Sequence, residues 1–138
     1  MKTGVIIITH GLAGIEMLKT CEMILGEQEH ALAIGLSSED TVDDLTSELS
    51  QTIHQLEALD YIVCLVDLQG GTPFNVAMKF KEQFKDIICG FNIPLLLDLL
   101  QSRHFKDIES LVIDSINVGK ENLKCISEII IQETDEEF

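Results

Sequence analysis

The sequence predicts an α/β fold: a doubly wound, mainly parallel sheet in the strand order 2-1-3-4, with helices on both faces. Short apolar runs alternate with helical patterns along the chain, which is typical of parallel strands joined by crossovers. The runs are continuously apolar, so helices should cover both faces of the sheet. A length of 138 residues with 46% hydrophobic content suffices for one ordinary core. We therefore expect one domain over residues 1–133 and an acidic tail over 134–138.

The first three quarters of the chain carry four predicted strands and the helices between them. The strands are TGVIIIT, ALAIGL, YIVCLV and IICGF, at residues 3–9, 31–36, 61–66 and 87–91. An apolar stripe with helical spacing runs from Leu12 to Leu25, and Gly26 is a suitable helix stop. A second stripe covers residues 42–56. Thr41 and the acidic residue three positions later form a weak capping box at its start.

The pattern changes after residue 92. The segment IPLLLDLL at 93–100 is too uniformly apolar for a surface helix, so it is either packed inside the domain or covered by another subunit. Residues 107–124 are predicted helical, with Gly119 weakening the helix in its middle. The isoleucine-rich segment at 126–132 predicts a late, antiparallel edge strand. An unprotected edge this apolar invites pairing with a second chain, so a homodimer is expected.

Charge and hydropathy limit the partners and the location. The net charge is −15, from 24 acidic and 9 basic residues, which argues against nucleic acid and anionic membranes as partners. The charge either attracts a basic protein or only keeps the chain in solution. No segment has the length of a signal peptide's apolar region or a membrane span, so a cytoplasmic protein is expected. The four cysteines lie in apolar contexts and are predicted to be buried thiols.

Two polar residues stand at the carboxyl ends of neighbouring predicted strands. His10 follows the first strand and Asp67 follows the third, and in the order 2-1-3-4 these strands flank the point where ligands bind. The two side chains should therefore face each other across one crevice. A carboxylate that holds one imidazole nitrogen fixes the tautomer and leaves the other nitrogen with an outward lone pair. The pair predicts a nucleophilic histidine, whereas neither residue alone distinguishes a functional role from a structural one.

The turn after Asp67 is suited to an oxyanion. Gly70 and Gly71 allow backbone conformations closed to other residues, and their amides can form an anion-binding nest. Thr72 is predicted to cap the next helix, with Pro73 at its first position. The free amides and positive dipole end of that helix would then point at the crevice, where they favour a phosphate. A tight turn without a ligand is the alternative.

Other sites have little support in the sequence. There is no phosphate-binding loop of the G-x-x-x-x-G-K-[ST] type, and the glycines after His10 do not complete a dinucleotide fingerprint. No cofactor is therefore expected. His30, His54 and His104 lack the spacing of metal ligands, so no metal site is expected.

Four stretches carry a family resemblance over almost the whole chain. They are THG at 9–11, LKTCEMILGEQE at 18–29, VDLQGGTPFN at 66–75 and GFNIPLLLDLL at 90–100. In this combination and order, the chain resembles the IIA component of the mannose-class (mannose, fructose, sorbose) bacterial phosphoenolpyruvate-dependent sugar phosphotransferase system.

The resemblance implies a protein-to-protein phosphoryl transfer. His10 would accept a phosphoryl group at Nε2 from the histidine-containing phosphocarrier protein HPr and pass it to a IIB component, which phosphorylates sugar at the membrane IIC and IID proteins. Asp67 would orient the ring. Thr72 and the amides around Gly70 and Gly71 would hold phosphoryl oxygens. The resemblance also implies dimers that exchange a C-terminal edge strand.

Two departures from the family pattern affect partner contacts. Members often have a tryptophan before the glycine pair, where this chain has Leu68 and Gln69. The chain stops at Phe138 without a linker, so a separate IIB protein is the expected acceptor. Two alternatives remain open: a phosphoryl donor for a phosphoenolpyruvate-dependent dihydroxyacetone kinase, and a non-catalytic sensor module that binds an anion. The identity of the sugar lies outside this chain.

Overall fold

A four-stranded, all-parallel sheet forms the centre of the molecule. The computed structural model describes residues 2–130. The strands are β1 (Thr3–His10), β2 (Ala31–Leu36), β3 (Tyr61–Val66) and β4 (Asp86–Cys89). The helices are α1 (Ala13–Leu25), α2 (Val42–Gln55), α3 (Thr72–Lys79), α4 (Ile93–Ser102) and α5 (Ile108–Glu121). The strand order is β2-β1-β3-β4, which confirms the predicted fold class.

The register places the ends of β1 and β3 side by side. Thr3 pairs with Tyr61 at the start of the two strands, and Ile8 pairs with Val66 near their ends. His10 extends two residues beyond the last of these pairs and lies opposite Leu36 of β2. The carboxyl ends of three strands therefore meet at one edge, where the strand order reverses.

Each face of the sheet has its own apolar core. On one face, alternate residues of β1 and β3 pack under α1, α4 and α5, and the buried cluster includes Val5, Ile7, Val63, Leu65, Leu96 and Leu111. On the other face, the intervening residues pack under α2 and α3, and this cluster includes Ile6, Ile8, Cys64, Val66, Leu45 and Val76. Because both faces are covered, the strands are continuously apolar rather than alternating.

Helix α4 lies inside this chain's own core. Leu95, Leu96, Leu99 and Leu100 are at most 5% exposed. Of the two predicted explanations for the apolar segment at 93–100, burial within the domain is the one observed. Asn92 begins the helix, since its Oδ1 accepts the Leu95 N–H at 3.0 Å.

Gly119 does not interrupt α5, contrary to the weakening expected from the sequence. A Cβ added there would lie 3.0 Å from the Cβ of Leu95 and 3.1 Å from Oδ1 of Asn92. The Asn92 side chain also donates to the Gly119 carbonyl at 3.0 Å. The glycine therefore allows α5 to lie close against the start of α4, and this packing outweighs the low helix propensity.

The predicted C-terminal edge strand is wrong for residues 126–130, which are helical. Backbone N–H groups of Ser127 and Glu128 bond to Cys125, which lowers the pKa of its thiol and satisfies donors at the helix start. Ile126, Ile129 and Ile130 also have the i, i+3, i+4 spacing of a helix face, and short isoleucine-rich runs fit either structure. Residues 131 and 132 and the predicted tail lie outside the described residues.

Cys21 and Cys64 are buried as predicted and Cys89 is half-buried, but Cys125 is exposed, so the prediction of a buried thiol is wrong there. Within residues 2–130, no helix has both the length and the apolarity needed to cross a membrane.

Carboxylates cap the starts of α2 and α5. The predicted capping box is confirmed: Thr41 Oγ1 accepts the Asp44 N–H, and an Asp44 oxygen accepts the Thr41 N–H. Asp107 accepts the Ser110 N–H at 2.9 Å. Hydrogen bonds from the backbone and then the side chain of Thr41 lower the pKa of Asp44, and those from Ser110 lower that of Asp107.

We expect the free energy of unfolding to fall with pH below about 4. A carboxyl whose pKa is lower in the folded state contributes to the free energy of unfolding. That contribution is complete above the unfolded-state pKa of 3.8 and is lost as the pH falls through the lower pKa of the folded state. Urea unfolding between pH 7 and pH 3 measures the decline. The double variant Asp44→Asn/Asp107→Asn keeps hydrogen-bonding groups that do not titrate, so its decline should be shallower. An equal decline in both proteins would contradict the assignment.

Candidate functional site

The structure brings His10 and Asp67 into direct contact at the carboxyl ends of β1 and β3. Nδ1 of His10 lies 2.8 Å from Oδ2 of Asp67. The same oxygen accepts the backbone N–H of His10 at 2.9 Å. One carboxylate oxygen thus holds both the ring and the backbone of His10, so the ring has little freedom to rotate. The His10 side chain is 48% exposed and that of Asp67 is 23% exposed, which leaves the ring open to a partner.

The carboxylate is ionised at neutral pH and determines the tautomer of the ring. Burial by itself raises the pKa of Asp67, but hydrogen bonds from the His10 backbone and ring, and from the Leu68 N–H, hold it below 3.8. An ionised carboxylate only accepts hydrogen bonds, so Nδ1 of His10 must be the donor in this pair. In the neutral ring, Nε2 then carries the lone pair.

Gly71 lies against the outward edge of the His10 ring. A Cβ added to Gly71 would lie 3.3 Å from Cε1 and 3.4 Å from Nε2, and the residue has a φ of 86°. Both the close approach and the left-handed backbone favour glycine here. The start of helix α3 is therefore next to Nε2.

The helix start differs by one residue from the prediction. Gly71, not Thr72, is the N-cap of α3, and its carbonyl accepts the Asn75 N–H at 3.0 Å. Thr72 is the first helical residue and Pro73 the second. The prediction was wrong because a threonine before a proline suits a cap, whereas here the glycine pair makes the turn. Gly70, with a φ of 93°, lies one residue before the cap.

Two residues that support the loop after β1 are not among those predicted from the sequence. Thr9 is fully buried, and its Oγ1 accepts the Gly14 N–H at 2.8 Å, which fixes the start of α1 relative to β1. Gly35 of β2 lies directly beneath the loop, because an added Cβ would be only 1.9 Å from the Gly11 carbonyl oxygen. A polar residue at the end of an apolar run was a usable signal for Thr9. Nothing local marks Gly35.

We expect Gly35→Ala to displace the loop that carries His10. The added Cβ meets backbone rather than a flexible side chain, so the loop must move, at a cost of about 2 kcal/mol in unfolding free energy. The displacement should break the hydrogen bond between Nδ1 of His10 and Asp67. A changed chemical shift of the His10 Hε1 proton, measured by NMR, would report this loss.

Gly4→Ala is the matched control, at the far end of β1. Its Cβ meets the Cδ1 atoms of Leu59 and Leu56, which can rotate away. The His10 resonance should be unchanged in that variant. If Gly35→Ala also leaves the resonance unchanged, Gly35 does not position the loop.

Two exposed leucines lie close to the site residues in the chain. Leu12 is 65% exposed and Leu68 is 50% exposed, and they follow His10 and Asp67 by two residues and one residue. Exposed leucines near a polar pair suit contact with another protein rather than with a small hydrophilic ligand. Leu68 and Gln69 stand where the sequence departs from the family pattern.

The chain belongs to the IIA family of the phosphotransferase system (PTS), because residues 4–116 match the family described as "PTS system fructose IIA component". IIA components of this system are phosphotransferases. The PTS system mannose-specific EIIAB component of Escherichia coli (strain K12) is 33% identical over 130 residues, or 91% of this chain and 40% of that protein. The chain thus spans less than half of that relative.

Other relatives match over most of their own length. The PTS system fructose-specific EIIA component of Bacillus subtilis (strain 168) is 29% identical over 91% of this chain and 87% of that protein. The crystal structure of phosphotransferase system component EIIA from Streptococcus agalactiae has a TM-score of 0.82 at 27% identity, covering 91% of this chain and 98% of that one. The fold and the family therefore agree over nearly the whole length.

Proposed function

We propose that the protein is a phosphocarrier that receives a phosphoryl group from phosphorylated HPr on Nε2 of His10 and passes it to a IIB protein during sugar uptake. The observation that carries this proposal is the 2.8 Å contact between Nδ1 of His10 and Oδ2 of Asp67. It leaves Nε2 as the nucleophilic nitrogen on an exposed ring. Family membership supports phosphoryl transfer as the chemistry.

The transfer needs few changes in bonding. The lone pair on Nε2 of His10 attacks the phosphorus of the donor phosphohistidine, and a P–N bond forms. The P–N bond of the donor breaks, and its electron pair returns to the donor ring. The proton on Nδ1 stays between the ring and Asp67, where the carboxylate stabilises the positive charge that the ring gains. The second transfer to the IIB protein repeats these steps with His10 as the donor.

The turn at Gly70 and Gly71 is proposed to receive the phosphoryl oxygens. Gly71 lies next to Nε2 and caps α3, so the first helical turn, whose amides at Thr72 and Phe74 have no acceptor within the helix, begins beside the reacting nitrogen. Thr72, the first residue of that turn, supplies an amide and a hydroxyl. These donors are oriented before the reaction, which lowers the cost of stabilising charge in the transition state.

Intact-mass measurement tests the proposal. The protein is incubated with phosphoenolpyruvate, enzyme I and HPr, and should gain one phosphoryl group that is lost in acid. His10→Ala should gain none, whereas His54→Ala, a control at an exposed histidine of α2, should behave as the wild type. Labelling of His10→Ala to the wild-type extent would contradict the assignment, and no labelling of the wild type would favour a sensor module.

The acceptor is tested with the phosphorylated protein. It is mixed separately with a IIB protein and with a dihydroxyacetone kinase, and loss of the phosphoryl group is followed over time. We expect transfer to the IIB protein. Transfer to the kinase alone would replace the sugar-uptake role with the kinase-donor role while leaving His10 as the carrier.

We also propose that the protein works as a homodimer. Leu123 is 84% exposed and Ile126 is 60% exposed, so an apolar surface lies after α5. A second copy that covers this surface would remove it from water. Sedimentation equilibrium should give twice the mass of the 15.4 kDa chain. A monomer at micromolar concentration would contradict the proposal.

A further inference from the structure

A polar cavity lies at the opposite end of the sheet from His10. Its volume is about 400 Å³, and its lining residues come from the start of β1, the segment before β2 and the segment after α4. They are Lys2, Thr3, Glu29, His30, Arg103 and His104. Four of the six can carry a positive charge, on a chain with only 9 lysines and arginines and 4 histidines. Glu29 is the one carboxylate in the lining.

The base of this cavity is a buried guanidinium group. Arg103 is 4% exposed. Its Nε donates to the Leu100 carbonyl at 3.2 Å, and Nη1 donates to the carbonyls of Thr3 at 3.0 Å and His30 at 3.3 Å. Nη2 donates to the Glu29 carbonyl at 2.7 Å and to the side-chain oxygen of Gln28 at 3.1 Å. All five acceptors are neutral oxygens. Burial lowers the pKa of Arg103, and the nearby Glu29 carboxylate offsets part of the guanidinium charge without a hydrogen bond to it.

The three rim side chains that can carry a positive charge form no ion pair among residues 2–130. The ion pairs found there involve Lys19, Lys85, Lys106, His10 and His54. Lys2, His30 and His104 belong to none of them, and all three are exposed. A buried guanidinium group with an ammonium group and two imidazole rings at the rim is an unusual arrangement in a protein of net charge −15, and it favours an anion.

The backbone at the rim is also unusual. His30 has a φ of 59°, and it is the one residue other than glycine with a positive φ among residues 2–130. Its carbonyl accepts from the Val5 N–H at 2.9 Å as well as from Arg103, so the surrounding structure holds this conformation in place. Left-handed residues held in this way concentrate at ligand sites. Here the conformation places His30 at the cavity that Arg103 underlies.

We propose that this cavity binds the phosphate group of a small molecule. An ammonium group and two imidazole rings supply donors at the rim, and lysine is a common phosphate-binding residue. Arg103 contributes its charge from beneath rather than a direct hydrogen bond, because all of its donors are occupied. The volume exceeds that of a phosphate ion and leaves space for an organic portion. The site is separate from His10 and does not depend on the proposed phosphocarrier role.

Phosphate binding to the full chain tests the proposal. The protein carries His10→Ala, so that the candidate phosphoryl site does not contribute, and sodium phosphate is titrated at pH 7 against sodium chloride of equal ionic strength. Calorimetry gives the affinity, and the histidine Hε1 resonances report the location. We expect saturable binding of phosphate that chloride does not reproduce, with shifts at His30 and His104 and none at His54.

Matched double variants distinguish phosphate binding in this cavity from a general effect of surface charge. Lys2→Gln/His104→Gln should weaken phosphate binding about tenfold or more, because an ammonium donor and an imidazole donor are lost. Lys19→Gln/His54→Gln makes the same change of residue types at exposed positions on α1 and α2, and should change the affinity by less than about twofold. Absence of saturable binding, equal weakening in both variants, or shifts of other histidines alone would each overturn the proposal. The two double variants are also made with His10 retained. In that form, both should be phosphorylated on His10 to the same extent.

Discussion

Asp67→Ala is expected to slow phosphoryl transfer through His10 by roughly 10²- to 10³-fold, the cost of losing one oriented group that stabilises transition-state charge. Without the carboxylate, Nδ1 of His10 loses its acceptor, so the ring can rotate and adopt the other tautomer. The positive charge that the ring gains on phosphorylation also loses its counterion. Rapid-quench measurement of phosphoryl uptake from phosphorylated HPr gives the rate.

The fold should survive this substitution. Asp67 is partly exposed, and the lost hydrogen bonds to the backbone N–H groups of His10 and Leu68 cost about 1–2 kcal/mol in unfolding free energy. That loss is small against the 5–15 kcal/mol typical of a domain. A slow variant with a native circular dichroism spectrum therefore reports on the site rather than on unfolding.

Asp60→Ala is a closely matched control. Asp60 precedes β3 as Asp67 follows it, and its Oδ2 accepts the Lys2 N–H at 2.7 Å, just as Asp67 accepts the His10 N–H. The control therefore removes a carboxylate with the same type of backbone contact at the far end of the same two strands. Its transfer rate should match the wild type. Equal rates for both variants and the wild type would remove Asp67 from the mechanism.

Arg103→Met is expected to lower the free energy of unfolding by about 3–4 kcal/mol, the largest stability effect that we expect of a single substitution here. Methionine fills much of the space but donates no hydrogen bonds, so the buried carbonyl of Thr3 and the partly buried carbonyl of Glu29 lose their partner. The guanidinium joins the segment after α4 to β1 and to the segment before β2. Its loss should loosen all three, and urea unfolding at pH 7 measures the change.

Arg103→Lys separates charge from geometry. Lysine keeps the charge but cannot reproduce a planar group with donors in five directions, so most of the destabilisation should remain. Lys19→Met is the surface control. Lys19 is 64% exposed and its one ion-pair partner among residues 2–130 is Glu16, so its loss should cost less than about 1 kcal/mol. If Arg103→Met lowers the free energy of unfolding as little as the control does, the hydrogen bonds of Arg103 contribute little to stability.

The sequence predicted the central sheet well because its signals are local. The buried strands are runs of β-branched residues, and the observed ends of β1 and β4 differ from the predicted ones by one or two residues. The start of α2 was predictable because Thr41 and Asp44 are only three positions apart. The adjacency of His10 and Asp67 followed from the strand order, since neighbouring parallel strands end at the same edge.

Contacts between distant parts of the chain explain what the sequence did not predict. The Arg103 side chain meets Thr3, 100 positions earlier, and no local pattern marks an arginine that will be buried. Position 35 has no room for a side chain because the Gly11 carbonyl, from another segment of the chain, lies against it. The isoleucines after Cys125 suited a strand by composition, but capping at the helix start and the spacing of Ile126, Ile129 and Ile130 suit the helix observed.

Identification of the ring nitrogen that carries the phosphoryl group tests the proposed role of His10 and Asp67 most directly. Long-range proton-nitrogen NMR of the ¹⁵N-labelled protein, after phosphorylation by phosphoenolpyruvate, enzyme I and HPr, distinguishes the two ring nitrogens of each histidine. We predict phosphorylation of His10 at Nε2, with a proton retained on Nδ1 and bonded to Asp67. A phosphoryl group on Nδ1 of His10, or on another histidine, would contradict the account.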